Sequence, residues 1–569
     1  MKTKIILCAV IASLLGVSEP RAQTAADPLL PHLAKQGTAT QLVVDGKPFL
    51  ALAAELNNSS ASSLEYMKPL WPQLVAAHLN TVLATVSWEL IEPQEGRFDF
   101  HLVDGLLKEA RANDLHLVLL WFGSWKNGRS TYQPLWVKTN QDRFPLACDS
   151  DGKSLPILTT FSDANRDADA RAFAALMRHL REVDGKKHTV LMIQVENEVG
   201  ILGDSRDRCP AANKAYAGPV PKDLMDYLVQ HKDTLAPELR EAWATNGFKT
   251  SGTWEEVFGP GKPASVQLYG TDLTDEKKDI YWQQLNWASD EFFMAWRYSM
   301  YVNQVAAAGK AEYDIPMYVN TWLQQQGCPR PGEYPSGGPT PQVHDLWRFG
   351  APAIDILSPD LYIDQFAETC ARYTRNGNPL FIPESEAGVR GAANAIYAFG
   401  AGNAIGFSPF GADRFAGSDR ELARAYHFLS SVSPLILANQ GKGAMTAVLL
   451  DATNATQTFR LGNYKIEAKF WVPPAWMHAT NALPERIAGL FISTGPDDYI
   501  VMGRNLAVNF SSTNETESVG IGTDEEGVYE NGRWVPGRRL NGDEVFESRT
   551  LRFPSDRYSI QHVKLYRYR

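Results

Sequence analysis

The chain has 569 residues, of which 44% are hydrophobic and 21% charged, and its formal net charge is -10. A chain of this length is too long to fold around one ordinary hydrophobic core, so we predict two domains or a barrel with an additional domain. The composition is typical of a soluble folded protein and excludes a disordered chain. The acidic balance argues against nucleic acid as a partner, because a phosphate-binding surface needs concentrated positive charge.

The first residues predict export from the cell. Lys2 and Lys4 precede an apolar run, Ile5 to Val17, which is too short to span a bilayer. This is the pattern of a secretory signal, which we place at residues 1–26, and the mature protein is expected to be secreted or periplasmic. No later stretch is long and apolar enough for a membrane span, so no membrane partner is expected.

Four cysteines remain after that segment: Cys148, Cys209, Cys328 and Cys370. An even count in an oxidising compartment is compatible with disulfides, and neighbouring positions favour the pairs Cys148–Cys209 and Cys328–Cys370. Four unpaired thiols are an equally good interpretation. The spacing of these cysteines matches no zinc template.

Between about residue 45 and residue 415, short apolar strands alternate with longer amphipathic segments such as Leu102–Ala112 and Ala170–Arg181. This alternation is typical of parallel βαβ units. Eight such repeats predict an α/β fold, a (β/α)8 or TIM barrel over residues 27–425, with its active site at the C-terminal ends of the strands. The predicted strands are Phe49–Ala54, Thr81–Thr85, Leu115–Phe122, Val190–Glu198, Met317–Trp322, Ile354–Tyr362, Leu380–Glu384 and Ala404–Pro409.

One connection in this region is long. It runs from Cys209 to Pro316 and contains helical stretches around Lys222–His231 and Tyr281–Ala307. Long excursions at the C-terminal face of a barrel are often functional, so we expect part of it to form the rim of the site.

The pattern changes after Ala416. A helix, Arg420–Leu429, leads to short runs of alternating polarity separated by Gly, Asn, Asp and Pro. We predict an all-β, sandwich-like C-terminal domain over residues 426–569, packed beside the barrel. Such a domain could bind glycan itself or cover apolar barrel surface, and we expect the latter because the sequence shows no exposed row of aromatic residues. The runs are Thr446–Leu450, Lys465–Trp471, Ala488–Ile492, Tyr499–Met502 and Val563–Arg567.

Acidic residues lie at the ends of two predicted strands. The run from Leu191 to Val195 leads to Glu196 and Glu198, and Leu380–Ile382 leads to Glu384. A carboxylate at the end of a buried strand must be hydrated, paired with a cation or hydrogen-bond donor, or take part in function. Cleavage of a glycosidic bond requires two carboxyl groups, one protonated to help the leaving oxygen depart and one ionised to attack or to direct water. The two strand ends therefore predict a glycoside hydrolase.

The residues alone leave the assignment within each segment open. Strand alternation sends Glu196 and Glu198 to one side with Asn197 opposite, and it sends Glu384 and Glu386 to one side as well. A single strand-end glutamate is often only a salt-bridge or helix-capping residue. Tyr362, at the end of the sixth strand, is expected to donate its phenol to Glu384, and Asn197 to donate to the sugar 2-hydroxyl.

The segment QVENEVG, residues 194–200, lies at the end of the fourth predicted strand. It is similar to the acid/base segment of glycoside hydrolase family 35, the β-galactosidases, in which the glutamate directly after the asparagine acts. Three separated segments of the chain carry this resemblance. The resemblance implies that Glu198 is the acid/base and that Glu196 is structural. An N-terminal stretch matches as well, at Glu55, Trp71-Pro72, Asn80-Thr81-Val82, Trp88, Glu92-Pro93, Gly96 and Phe98-Asp99-Phe100.

The nucleophile segment of the family has a proline, a glutamate five positions later and a glycine four further on. Pro379, Glu384 and Gly388 keep this spacing. The resemblance therefore implies Glu384, rather than its rival Glu386, as the nucleophile.

Two places depart from the family pattern. Thr85 stands where the family commonly has a tyrosine, and the segment after the third strand reads WFGSWKNG, residues 121–128. In that segment we predict Trp125 as a stacking platform for a sugar, with a core position as an equal alternative, and Asn127 as a hydroxyl partner. The other predicted substrate-binding residues are Glu55, Asn320 and Trp322.

The resemblance implies an exo-acting, retaining β-galactosidase that removes terminal β-galactosyl residues from oligosaccharides. It is closest to a bacterial subgroup with a β-rich C-terminal module, associated with plant cell-wall glycans. The alternatives are another β-glycosidase or an endo-β-glycanase on the same barrel, and a non-catalytic carbohydrate-binding protein. No metal or cofactor is predicted, because the sequence contains no metal-ligand spacing and no phosphate-binding loop.

Overall fold

The computed structural model describes residues 29–129, 132–268, 285–325, 328–471, 485–514, 516–530, 532–545 and 549–569. The predicted signal peptide, residues 1–26, lies outside these ranges, as does the start of the predicted helix Tyr281–Ala307. None of the helices in these ranges has both the length and the apolar character needed to cross a bilayer.

The described residues contain a closed barrel of eight parallel strands, which confirms the predicted (β/α)8 fold. Each strand pairs with the next along the chain, and the eighth pairs with the first. The strands are Ala51–Glu55 (β1), Thr81–Ser87 (β2), His116–Lys126 (β3), Val190–Asn197 (β4), Met317–Trp322 (β5), Ile356–Leu361 (β6), Phe381–Ile382 with Glu384–Ser385 (β7), and Gly406–Phe407 (β8).

Strand β7 is divided in two by Pro383. Its first half, Phe381–Ile382, pairs with β8, whereas its second half, Glu384–Ser385, pairs with β6. Proline has no N–H to donate to a ladder, so the hydrogen bonding changes partner at this residue. The division closes the barrel and leaves Glu384 at the C-terminal end of the strand.

Side chains fill the inside of the barrel. Leu83, Leu120 and Phe381 belong to this inner core, and Leu42 and Val44 from outside the barrel join it. The latter two come from an unpredicted antiparallel sheet before β1, whose strands are His32–Gln36, Ala39–Val44 and Lys47–Phe49.

Helices surround the barrel. The predicted segments Leu102–Ala112 and Ala170–Arg181 lie in the helices His101–Ala112 and Asp163–Asp184. The other helices before β5 are Leu64–Met67, Trp71–Ala76, Trp88–Ile91, Leu135–Lys138, Pro210–Tyr216, Lys222–Gln230, Pro237–Thr245, Trp254–Phe258 and Ala288–Lys310. Those after β5 are His344–Gly350, Phe366–Tyr373, Gly388–Gly400, Ala412–Phe415 and Arg420–Asn439. Short 3-10 turns lie at Ser60–Ser62, Pro341–Val343, Arg375–Gly377 and Gly542–Glu544, and a hairpin joins Leu146–Cys148 to Ser154–Leu158.

The C-terminal domain is all-β, as predicted, and consists of two antiparallel sheets. The six-stranded sheet contains Met445–Asp451, Arg486–Gly495, Asp498–Gly503, Ser559–Tyr568, Ser518–Glu530 and Arg533–Leu540 in spatial order. The four-stranded sheet contains Thr456–Leu461, Tyr464–Phe470, Leu506–Ser512 and Thr550–Arg552. The five predicted runs all fall on strands, although Trp471 lies one residue past the strand Tyr464–Phe470. The strands that prediction missed include Arg533–Leu540, which is mostly exposed and has no apolar alternation to read.

The six-stranded sheet has two buried faces. Val448 and Phe491 point into the core between the two sheets, whereas Leu449 and Leu490, one position away, join the core of the barrel. This follows from the alternation of side chains along a strand. The domain therefore covers apolar barrel surface, as expected.

The helix Arg420–Asn439 spans the predicted domain boundary at residues 425 and 426. Tyr426 lies in this helix and donates its hydroxyl to the carbonyls of Ala53 (2.8 Å) and Phe407 (2.9 Å) in β1 and β8. The first strand of the β domain begins only at Met445.

The predicted disulfides are wrong, because all four cysteines are free. The Cys209 sulfur lies 3.5 Å from both the Asp207 carboxylate and the Thr159 hydroxyl. Cys370 is buried in the helix Phe366–Tyr373. These two thiols are thus accommodated by their own surroundings.

The contact between the two domains predicts the effect of Leu490→Ala. A Cβ on Gly400 of the barrel would come within 2.6 Å of the Leu490 side chain, so the two surfaces are closely packed. Removing the leucine should lower the free energy of unfolding by about 2–5 kcal/mol. Val528→Ala, at a strand position that is 49% exposed, is the control and should change it by less than about 0.5 kcal/mol. Equal effects in urea titrations would contradict the packed interface.

Candidate active site

The end of β4 departs from regular strand geometry. Glu196 and Glu198 both have a positive φ, 63° and 42°, which is uncommon for residues other than glycine. Side chains therefore do not alternate here as in a regular strand. Glu196 faces Asp169 of an outer helix, whereas Glu198 faces the centre of the site. The prediction that Glu196 and Glu198 share one side is wrong.

Asn320 at the C-terminal half of β5 connects the two predicted catalytic glutamates. Its Oδ1 accepts from the backbone N–H of Glu198 at 3.0 Å, which fixes the orientation of the amide. Its Nδ2 then donates to Glu384 Oε1 at 3.5 Å and to Asp360 Oδ2 at 2.8 Å. One buried amide thus holds three elements of the site in register.

Glu384 lies at the C-terminal end of β7 and is almost wholly buried. Tyr362 donates its phenol to Glu384 Oε2 at 3.0 Å, as predicted. Burial and then the neighbouring Glu384 raise the pKa of Tyr362, so it remains a phenol and keeps its proton to donate. Glu384 therefore accepts one hydrogen bond at each carboxyl oxygen, from Asn320 and from Tyr362.

A third carboxyl group, Asp360 on β6, shares this space. One oxygen each of Glu198, Asp360 and Glu384 lies within 4.8 Å of the other two. All three side chains are buried. Such crowding disfavours simultaneous ionisation, so the groups must hold protons or gain a counter-charge.

Lys126 supplies a counter-charge at the end of β3. Its ammonium is buried and donates to Asn197 Oδ1 at 2.9 Å. Burial alone would lower the pKa of Lys126, but the nearby carboxyl groups, Glu384 and Glu198 foremost, outweigh it and raise that pKa. Asn197 is therefore held by Lys126, and its Nδ2 has no hydrogen-bond partner among the described residues.

Glu55 at the end of β1 is a fourth acid in the same space. It is fully buried, and neither carboxyl oxygen has a hydrogen-bond partner among the described residues. Burial first and the Glu384 charge second raise its pKa, while Lys126 opposes the shift. Its unpaired oxygens are positioned to accept hydroxyl groups of a bound ligand.

The surroundings of Glu198 suit a proton donor. Burial first and the Glu384 charge second raise the pKa of Glu198 to about 7, against the opposing effects of Lys126 and Asp360. Asn127 donates its amide to Glu198 Oε2. A carboxyl group of this kind holds its proton near neutral pH and still releases it readily.

Trp125 and Trp322 were both predicted to bind the substrate. Trp125 is fully buried, packs against Tyr298 and Tyr301, and donates its indole N–H to the Leu158 carbonyl. It is a core residue, so its predicted role as a stacking platform is wrong and the alternative interpretation is correct. Trp322, the last residue of β5, is half-buried opposite Asp360 in the neighbouring strand.

The rival acids have partners of their own. Glu386 Oε1 accepts from Arg390 at 3.0 Å and from Asn394 at 3.2 Å, both on the following helix. Glu196 accepts from the Trp125 backbone N–H at 2.9 Å and contacts the Asp169 carboxyl group. The geometry therefore favours Glu384 and Glu198 for chemistry.

Among the described residues, Glu198, Asp360 and Glu384 are the set whose oxygens lie close enough together to hold a cation. The Lys126 ammonium already provides positive charge beside them. That the protein needs no metal for its chemistry stays a prediction.

Sequence reasoning missed Lys126 and Asp360. The third strand was predicted to end at Phe122, so Lys126 was not recognised as a strand-end residue, although Asn127 beside it was. Asp360 precedes Tyr362 by two positions. Strand alternation applied to Tyr362 would have placed Asp360 on the same side.

Comparisons with known proteins indicate the family of this chain. Residues 71–391 match the glycoside hydrolase family 42 model, described as β-galactosidase, and residues 422–552 match a domain of unknown function (DUF5597). A β-galactosidase of Xanthomonas manihotis is 30% identical over 189 residues, which span 31% of this chain and 27% of that enzyme.

Two matches to solved structures have the following values. The β-galactosidase from Bacillus circulans sp. alkalophilus has a TM-score of 0.42 and 16% identity, over 68% of this chain and 57% of its own. The catalytic domain of β-amylase from Paenibacillus polymyxa has a TM-score of 0.43 and 11% identity, over 67% of this chain and 98% of its own.

The buried Glu196 predicts a pH dependence of stability. Burial first and Asp169 second raise the pKa of Glu196 well above its ordinary value of 4.5. The folded protein therefore holds a proton that the unfolded chain releases, and stability should fall as pH rises above about 4.5, by up to about 1.4 kcal/mol per pH unit. Glu196→Gln, which stays neutral, should show a flatter profile of unfolding free energy between pH 5 and pH 8.

The control is Glu65→Gln, because the Glu65 side chain is 81% exposed. It should keep the slope of the parent protein. Parallel profiles for Glu196→Gln and the parent would show that Glu196 is ionised in the folded state.

Proposed function

Because the chain belongs to the glycoside hydrolase family 42 β-galactosidases, we propose that it removes terminal β-galactosyl residues from oligosaccharides, with retention of configuration. The sequence motifs resembled glycoside hydrolase family 35, but the family model that matches is that of family 42. The predicted family is therefore corrected to family 42, which is also described as β-galactosidase. The observation that carries the proposal is the pair Glu198 and Glu384, buried at two strand ends with carboxyl oxygens within 4.8 Å.

In the first step, a Glu384 carboxylate oxygen attacks the anomeric carbon of the galactosyl unit. The bond from that carbon to the aglycone oxygen breaks, and Glu198 transfers its proton to the departing oxygen. The separation of the two carboxyl groups supports this route, because retaining enzymes hold them about 5–5.5 Å apart and inverting enzymes about 6.5–9.5 Å apart.

In the second step, water attacks the same carbon. Glu198, now ionised, takes a proton from the water while the ester bond to Glu384 breaks. Galactose leaves with its original anomeric configuration, and Glu384 returns as a carboxylate. The hydrogen bond from Tyr362 supports the role of Glu384, because it stabilises the carboxylate that attacks and that departs.

The sugar is held by polar atoms that lack partners in the described protein. Glu55 offers a carboxyl group without a partner, and Asn197 offers an amide N–H fixed by Lys126. We assign Asn197 to the 2-hydroxyl, a contact that strengthens in the oxocarbenium-like transition state. Asn320 and Asn127 position the catalytic carboxyls in this scheme. Trp322 stays a predicted contact at the rim.

The natural substrate and location remain part of the proposal. The motif resemblance favours galactosylated plant cell-wall oligosaccharides, which the enzyme would meet as a secreted or periplasmic protein. Hydrolysis of a galactosylated xyloglucan oligosaccharide faster than lactose would support this source.

Product analysis tests the proposed reaction. Proton NMR during hydrolysis of an aryl β-galactoside should show β-galactose as the first anomer formed. On a galactosylated oligosaccharide, free galactose should be the only sugar released in the first minutes. A ladder of oligomers would identify an endo-acting enzyme, α-galactose first would identify inversion, and no turnover would leave a carbohydrate-binding protein.

The nucleophile assignment predicts the behaviour of Glu384→Ala. Its activity on an activated aryl β-galactoside should fall by at least about 10³-fold, because the covalent route is lost. Azide should restore turnover and give the α-galactosyl azide, since azide attacks from the face that the side chain has vacated. Glu386→Ala is the matched control and should keep most activity, because Glu386 is engaged by Arg390. Azide rescue of Glu386→Ala instead would move the nucleophile by two residues.

A further inference from the structure

We propose that Asp360 carries its own proton and donates it in a hydrogen bond to Glu198, as a positioning residue that stabilises the ionised acid/base after the leaving group departs. This inference rests on the proposed function and deepens it. Neither the family match nor the motifs assign a role to Asp360.

The charges in the site require stored protons. Four carboxyl groups, those of Glu55, Glu198, Asp360 and Glu384, are buried together, and Lys126 carries the positive charge among the described residues buried with them. Full ionisation would leave three uncompensated negative charges in a space shielded from water, which is strongly unfavourable.

The hydrogen bonds around Asp360 indicate which oxygen holds the proton. Asp360 Oδ2 accepts from Asn320 Nδ2 at 2.8 Å, so that oxygen is an acceptor. Asp360 Oδ1 is buried and receives no donor from the described residues, and carboxyl oxygens of Asp360 and Glu198 lie within 4.8 Å of each other. Two carboxylate oxygens facing each other would repel, so a proton between them is required.

The other groups around Asp360 do not remove this need. Burial, and then the charges of Glu384 and Glu198, raise the pKa of Asp360. The tyrosines that face it have raised pKa values and remain neutral. The titratable groups facing Asp360 are Glu55, Glu198, Glu384, Lys126, Tyr318, Tyr362 and Tyr373.

The arrangement separates two demands on Glu198. It must hold a proton before the first step and must be a stable carboxylate before the second. The Asp360 hydroxyl stabilises the carboxylate, which makes Glu198 a stronger acid without adding a charge beside it. The proton on Asp360 is not consumed, because the water of the second step restores that of Glu198.

Asp360→Asn and Asp360→Ala test the inference. The amide keeps an acceptor for Asn320 and a weaker, neutral donor for Glu198, whereas alanine removes both. The alkaline limb of the pH profile of kcat/KM, which reports Glu198, should move to higher pH in the alanine variant and less far in the asparagine variant. The alanine variant should also lose about ten- to a hundredfold in kcat on lactose, and less than about threefold on a dinitrophenyl β-galactoside.

The direction of the shift decides the outcome. If Asp360 were ionised, Asp360→Asn would remove a negative charge next to Glu198 and move the limb to lower pH, which would overturn the inference. Unchanged limbs in both variants would overturn it as well. Activity of Asp360→Ala on the dinitrophenyl substrate shows that this variant is folded. Complete loss of that activity would overturn the inference that Asp360 acts only through Glu198.

Two controls separate the inference from the proposed function. The parent enzyme must hydrolyse both galactosides, and Glu198→Ala must lose far more activity on lactose than on the dinitrophenyl substrate. If either fails, the proposed function fails. If both hold and the Asp360 variants keep the parental profile, only the inference fails.

Discussion

The structure of the site depends on one constraint, which is that several carboxyl groups are buried within reach of one another and cannot all be ionised. Glu198, Asp360 and Glu384 have oxygens within 4.8 Å, and Lys126 beside them carries positive charge. Like charges at this spacing disfavour the ionisation of all three groups at once. A proton donor and an anion can therefore share one pocket, which glycoside cleavage requires.

The barrel brings these acids together because its strands end at one face. Glu384, Asp360 and Lys126 come from β7, β6 and β3, which are far apart in sequence. Two local departures from regular geometry then direct the side chains. The left-handed backbone at Glu196 and Glu198 separates two acids that a regular strand would keep together, and Pro383 lets β7 pair with different strands before and after it.

The sequence was sufficient for the barrel, since all eight strands carry apolar runs that alternate with amphipathic helices. It also placed Glu198, Glu384 and Tyr362 at strand ends, where the structure has them. The residues alone did not choose Glu198 over Glu196 or Glu384 over Glu386, and only the family resemblance did. The sequence did not predict features that depend on three-dimensional contacts or on the backbone conformation of one residue. Trp125 is as suited to a sugar as to a core, and only its contacts with Tyr298 and Tyr301 assign it. The direction of Glu196 depends on its φ angle, which no alternation rule supplies.

In the proposed mechanism, Glu384 forms a covalent bond to galactose, and Glu198 first donates a proton and then accepts one. Incubation with 2,4-dinitrophenyl 2-deoxy-2-fluoro-β-galactoside, followed by proteolysis and mass spectrometry, tests it most directly. The fluorine slows both steps, and the activated leaving group lets the first proceed, so the intermediate accumulates. We expect one fluorogalactosyl group, attached to Glu384. A label on Glu386 or on Asp360, or inactivation without a label, would contradict it.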